Sequence, residues 1–260
     1  MSPVGFFTDT SLCIGCKACE VACKQWNQLP SDGYEFSGMS YDNTQALSAT
    51  TWRHVAFVEA PGSGAPGAQQ NWLMLSDVCK HCSNAGCLQA CPTGAIVRTE
   101  FSTVYVQQDV CNGCGYCVPA CPYGVIELSP IDHRAHKCTL CYDRLKTGLE
   151  PACAKACPTD SIVFGPLDEL RPRAEARLKT LQGRGVASAR LYGIDEGAAK
   201  DSAGRGSLNS IFLLLDEPAK YNLPERVELP QNTVLASSLA TAALGAVLAV
   251  GAALIFGRRS

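Results

Sequence analysis

Charge is scarce in this chain of 260 residues. Asp, Glu, Lys and Arg make up 18%, against about 25% in soluble domains generally. The 22 basic and 24 acidic residues nearly cancel, and a net charge of −2 leaves no basic footprint that would point to nucleic acid as a partner. Histidine is equally sparse: His54, His81, His133 and His136. No Ser–His–Asp constellation and no glycine-rich phosphate cradle accompanies them, which sets aside the common hydrolytic and nucleotide-dependent chemistries. Met1–Leu12 has neither the basic nor the apolar region of a secretory leader. With 47% apolar residues, the chain is still not a disordered one.

Cysteine runs the other way. There are sixteen, more than a chain of this length needs as disulfide staples, and they form four quartets with none left over. The first is Cys13, Cys16, Cys19 and Cys23, spaced C-x2-C-x2-C-x3-C. The second is Cys79, Cys82, Cys87 and Cys91, with a four-residue middle gap, followed by Pro92. The third, Cys111, Cys114, Cys117 and Cys121, repeats the first spacing and is followed by Pro122. The fourth is Cys138, Cys141, Cys153 and Cys157, with an eleven-residue gap, followed by Pro158.

Three thiolates on one tight loop grip three irons of a cubane, while a fourth, on the turn leading away, reaches a different cluster. Small residues such as Gly15, Ala18, Gly113 and Gly115 let the loop wrap closely. The expectation is four 4Fe–4S clusters in two ferredoxin-like pairs. Disulfides give no reason for the repeated spacing, and structural zinc does not need the third cysteine. A membrane-anchored zinc scaffold without redox activity is the alternative from another class.

Quartets two and three are close in sequence, joined by the β-prone runs Gly94–Val97 and Thr103–Val106, and read as one dicluster unit inserted into the other. The expected ligand sets are Cys13, Cys16, Cys19 and Cys157 for cluster 1, and Cys138, Cys141, Cys153 and Cys23 for cluster 2. Cluster 3 would take Cys79, Cys82, Cys87 and Cys121, and cluster 4 Cys111, Cys114, Cys117 and Cys91. All sixteen thiolates are then iron ligands, and none is free as a catalytic nucleophile.

The fold class expected is α+β: two dicluster units plus one C-terminal transmembrane helix. Residues 1–167 would form the four-cluster domain, with residues 24–78 an insertion whose hairpin strands are Trp52–Glu59 and Trp72–Leu75 about the loop Pro61–Gly67. Residues 168–232 would pack on it as an extension. There Asp168–Gln182 reads as a helix capped by Asp168, with Arg171, Arg173, Arg177 and Lys179 on a solvated face. Residues 196–207 read as an exposed loop and Ile211–Leu215 as a strand. Val234–Phe256 is uncharged and, at about 1.5 Å per residue, long enough to cross a bilayer core of about 30 Å. Arg258 and Arg259 behind it would place the C-terminus in the cytoplasm and the clusters on the periplasmic side. Folded export would then depend on a partner bearing the signal. The span has no His, so haem or quinone chemistry belongs to another subunit.

The runs Asp9–Asn27, Cys111–Pro122 and Lys137–Arg144 resemble formate dehydrogenase iron–sulfur (β) subunits, within the four-cluster subunits of molybdopterin oxidoreductases. Phe212–Asp216, Tyr221–Pro224 and the C-terminal segment extend the resemblance over most of the chain. Lys24 departs from it, standing where the other quartets have proline. The resemblance implies a non-catalytic wire. A molybdenum- or tungsten-pterin subunit would oxidise formate, and a membrane cytochrome b subunit would pass the electrons to quinone. The same relay would also serve a hydrogenase or another molybdopterin reductase.

Overall fold

The computed structural model describes residues 2–33, 36, 38, 41–60, 71–194, 197, 198, 206–229, 238 and 241–251. Two compact units divide the chain, Met1–Val227 and Glu228–Ser260.

The first unit is organised by a four-stranded sheet whose members come from its two sequence ends. Strand β1 (Val4–Asp9) pairs antiparallel with β8 (Ile162–Pro166) and parallel with β10 (Ser210–Leu214), and β9 (Arg190–Tyr192) completes the order β8-β1-β10-β9. Side chains alternate across a strand. Phe7, Ile211 and Leu213 therefore bury against α5 (Leu167–Gly183). Phe6, Phe212 and Leu214 face the other way, into the core that holds Cys19, Cys79, Cys138 and Cys153. One sheet separates a helix layer from the cysteine layer, and its central strands β1 and β10 are buried on both faces.

Helix α5 buries Leu167, Leu170, Ala174 and Leu181, the three-and-four spacing of one helix face. Asp168 does not cap it: Pro166 occupies the N-cap, no side chain closes the turn, and Asp168 lies within the first turn. Arg177 is likewise not on a solvated face. Its Nε donates to Asp9 Oδ2 at 2.7 Å and its Nη2 to Ser11 at 2.9 Å, fastening the end of β1.

Short antiparallel pairs and the short helices α2 (Gly86–Gln89) and α3 (Tyr142–Lys146) complete the unit. Strands β2 (Arg53–Ala60) and β3 (Asn71–Val78) form the expected hairpin, while the loop Pro61–Gly67 lies outside the described residues. Strands β4 (Ile96–Arg98) and β5 (Val104–Val106) pair, as do β6 (Glu127–Leu128) and β7 (Ala135–His136). Lys24, the departure from the proline pattern, ties down the insertion: its Nζ reaches Thr50 O at 2.9 Å, Pro30 O at 3.0 Å and Asp32 at 2.8 Å. Of residues 196–207 only 197, 198, 206 and 207 are described, and Ala198 is buried rather than exposed.

The expected transmembrane helix is not found among the described residues. In the second unit, residues 238 and 241–251 are helical. Among the described residues no helix is long and apolar enough to cross a membrane. The rest of 233–257, apart from residue 238, lies outside the described residues, as do Arg258 and Arg259. The topology inferred from those arginines rested on the span and lapses with it.

Candidate metal centres

Each quartet opens as a tight loop that runs into a helical turn. In the first, Gly15 (φ +66°) and Lys17 (φ +58°) turn the chain left-handed between Cys13 and α1 (Ala18–Asn27). In the third, Gly113 (φ +74°) does the same, and the His133 carbonyl oxygen leaves no room there for a Cβ. Helix α1 then carries Cys19 and Cys23 one turn apart. The fourth quartet ends similarly: Cys153 lies in α4 (Ala152–Lys155), which packs on α1, and Cys157 follows a turn later. Residues four apart on a helix share one flank, offset along the axis, so each helix serves two neighbouring cavities.

Four cavities result, each lined by four cysteines. Cys13, Cys16, Cys19 and Cys157 line the first. Cys23, Cys138, Cys141 and Cys153 line the second. Cys79, Cys82, Cys87 and Cys121 line the third, and Cys91, Cys111, Cys114 and Cys117 the fourth. The sheet explains the first grouping. Strand β1 leads into Cys13 and β8 leaves Cys157, and their antiparallel register, with Asp9 N–H donating to Ser161 O at 2.8 Å, sets the two cysteines side by side. Pairing of β4 with β5 does the same for Cys91 and Cys111.

All sixteen cysteines are free thiols. Among the described residues no group of three or more His, Cys, Asp or Glu is disposed to hold a single metal ion. Four cysteines around each cavity, three from a quartet of iron-ligand spacing, suit a polynuclear iron–sulfur group. Donors reach several sulfurs: Leu140 N–H to Cys138 at 3.3 Å, Ala135 N–H to Cys111 at 3.5 Å, Asn27 Nδ2 to Cys23 at 3.6 Å, and Arg53 Nη2 to Cys153 at 3.3 Å. Such bonds stabilise thiolate, the form that binds iron. Burial opposes them, pushing Cys19 and Cys141 up to about 11 and Cys87 up to about 12. Cys91 goes the other way: hydrogen bonds from the Thr93 side chain and from the Ile96, Thr93 and Ala95 backbone outweigh its slight burial. Filling the cavities accordingly releases protons.

Buried cations are the feature the spacing did not disclose. Lys80 Nζ bonds Val78 O at 2.9 Å and Asp77, and lies 5.0 Å from the Phe212 ring centre. Lys137 Nζ bonds Val104 O at 2.5 Å and Cys138 O at 3.0 Å. Both line the third cavity, whereas the fourth has no charged side chain in its wall other than its cysteines. His81, also in the third wall, accepts the Val104 N–H at Nδ1 (3.1 Å). Its proton therefore sits on Nε2, which is buried without a partner among the described residues. Burial, with Lys137, Arg98 and Arg53 nearby, keeps that ring neutral. Lys80 and Lys137 were readable as neighbours of Cys79 and Cys138. Arg53, a hundred residues from Cys153, was not.

Two segments, residues 12–95 and 70–167, match families described as 4Fe-4S dicluster domain. The sequence is 41% identical over 221 residues to the formate dehydrogenase-O iron-sulfur subunit of Escherichia coli, covering 84% of this chain and 69% of that one. It is 41% identical over 217 residues to the formate dehydrogenase iron-sulfur subunit of Haemophilus influenzae, covering 82% and 66%. To one polypeptide of the anaerobic dimethyl sulfoxide reductase of Escherichia coli it is 36% identical over 174 residues, covering 65% and 76%. The chain thus spans about two thirds of the length of the formate dehydrogenase relatives. Two dicluster segments and sixteen cysteines in quartets amount to four 4Fe–4S clusters and an electron-transfer rather than a catalytic role. This polypeptide belongs to the family of formate dehydrogenase iron–sulfur subunits.

Proposed function

We propose that this chain relays electrons from a molybdenum- or tungsten-pterin subunit oxidising formate to a membrane cytochrome b subunit and quinone. We further propose that the four cavities hold the four clusters through the cysteines that line them. One observation carries the ligand reading: every cavity combines three cysteines of one quartet with the fourth of another. When bound, each cluster stores and releases one electron. The protein's part is to hold the sulfurs at fixed separations, exclude water and supply compensating charge. Residues 1–167 carry every ligand, and 168–232 add none.

The order of the relay follows from shared walls. Val78 and Cys138 line the second cavity, while their neighbours Cys79 and Lys137 line the third. The second and third cavities are thus the inner stations. The first and fourth are the ends, each with an exposed cysteine, Cys16 and Cys114. Exposed apolar side chains inside those loops, Ile14 and Tyr116, suit protein partners docking at both ends.

The test is anaerobic purification with whatever partners remain bound, followed by metal and sulfide analysis and formate addition. About sixteen iron and sixteen sulfide per chain, a pterin-bearing companion and bleaching of the visible iron–sulfur absorption by formate are expected. Stoichiometric zinc without sulfide would overturn the cluster reading. Full iron with a companion that ignores formate would overturn only the formate assignment.

A further inference from the structure

Arg53 is a guanidinium sealed inside the protein, 1% exposed. It lines the second cavity, and its Nη2 donates to Cys153 Sγ at 3.3 Å. Its Nη1 donates to the carbonyl and the hydroxyl of Ser76, each at 3.2 Å. Ser76 lines the first cavity, and its Oγ lies 3.2 Å from Cys19 Sγ. The guanidinium carbon lies over the Phe6 ring, 4.6 Å from its centre. One donor, Nε, is buried without a partner among the described residues. A cation is retained in such a place only where negative charge compensates it. Among its hydrogen-bonding partners the one that becomes negative as an iron ligand is the Cys153 sulfur.

We propose that Arg53 is a positioning residue for electron transfer. It is a fixed cation shared by the first and second clusters that raises both reduction potentials and, through Ser76, joins Cys19 to Cys153 by hydrogen bonds. This rests on the ligand assignment proposed above. A cubane with four thiolates is a dianion when oxidised and a trianion after taking up one electron, so a neighbouring cation favours the reduced form. Hydrogen bonds to ligand sulfur act in the same direction. A charge set between two stations lifts both together and keeps an electron's passage between them nearly level. The third cavity has Lys80 and Lys137 in its wall, but their hydrogen bonds end on backbone carbonyls and on Asp77 rather than on sulfur.

The experiment is an EPR-monitored redox titration of the cluster-loaded protein, with iron and sulfide measured on each sample. Arg53→Met should lower two of the four midpoint potentials and leave the other two in place. Arg53→Lys, which keeps the charge, should restore most of the shift. Ser76→Ala should lower one potential alone. Unchanged potentials in Arg53→Met at full iron content would overturn the inference while leaving the ligand assignment intact, as would a shift that Arg53→Lys does not relieve. Should Arg53→Met fail to load its clusters, Ser76→Ala decides: a fall confined to one potential supports the inference, and no change overturns it. Wild-type protein short of about sixteen iron per chain would overturn the ligand reading, and the inference with it.

Discussion

The two halves of the cysteine framework share a spacing and differ in how they are closed. The compact half, Cys79–Cys121, is closed locally: β4 and β5 are a few residues apart and bring Cys91 to Cys111. The wide half joins Cys13 to Cys157, and only a sheet made from both ends of the first unit achieves that. Their electrostatics differ too. In the wide half one guanidinium bonds toward both cavities. In the compact half two lysines line one cavity, and the other has no added charge. A ligand spacing specifies a loop, whereas the closure and the charge around it are set by whatever the rest of the chain packs there.

The largest effects should come from the crossing cysteines, which test whether both halves exchange ligands. Cys157→Ser is expected to remove the cluster of the first cavity, and Cys91→Ser that of the fourth, each lowering iron by about four per chain. EPR after anaerobic purification would locate the loss. A lesion in the variant's own quartet would break the parallel between the halves.

Next come two glycines at the same motif position. Gly15 and Gly113 both have positive φ, which costs a side chain about 1–2 kcal/mol. A Cβ on Gly15 would meet the movable side chains of Phe57 and Met74 at 2.7–2.8 Å, while one on Gly113 would meet the His133 carbonyl oxygen at 2.2 Å. Gly113→Ala should therefore destabilise by about 3–5 kcal/mol and Gly15→Ala by about 2–3 kcal/mol, once overpacking is added. Thermal melting of the cluster-loaded variants would rank them.

Arg177→Ala probes the wide half alone. It strips the buried Asp9 carboxylate, at the end of β1, of its ion pair. A loss of about 1–3 kcal/mol is expected, with iron released first from the Cys13 cavity. Denaturant unfolding combined with iron release would check both.

The smallest effect is pH-dependent. His54 lies 3.2 Å from Glu20 and 2.9 Å from Asp42. Burial lowers its pKa, but these carboxylates outweigh burial and Lys17 and raise it above 6.5. A raised folded-state pKa contributes stability that is full below the unfolded value and fades as pH rises through the folded one. His54→Gln should thus be about 1–2 kcal/mol less stable than wild type near pH 6, with the gap closing toward pH 9. A gap that widened with pH would refute the charged histidine.

Much was legible without coordinates. Ligand spacing is a local property: two or three residues between thiolates, with a glycine where φ must be positive, define a cluster loop by themselves. The hairpin of β2 and β3, the pair β4–β5 and the body of α5 are local as well, written in alternation and helical periodicity. The Val234–Phe256 span was the misreading, because an uncharged run meets the length rule whether or not the chain forms one continuous helix.

What the amino-acid order determined by itself was the chemistry, four quartets of iron-ligand spacing, because each loop is specified by residues next to one another. What only the tertiary structure decided was the company those quartets keep. The parallel pairing of β1 with β10, across some two hundred residues, leaves no trace in either strand's pattern. Nor does it show in β1 that Arg177 fastens Asp9, or in β2 that Arg53 bonds toward two cysteine cavities. Such contacts depend on which surfaces meet once apolar faces are buried, and no short-range spacing encodes them.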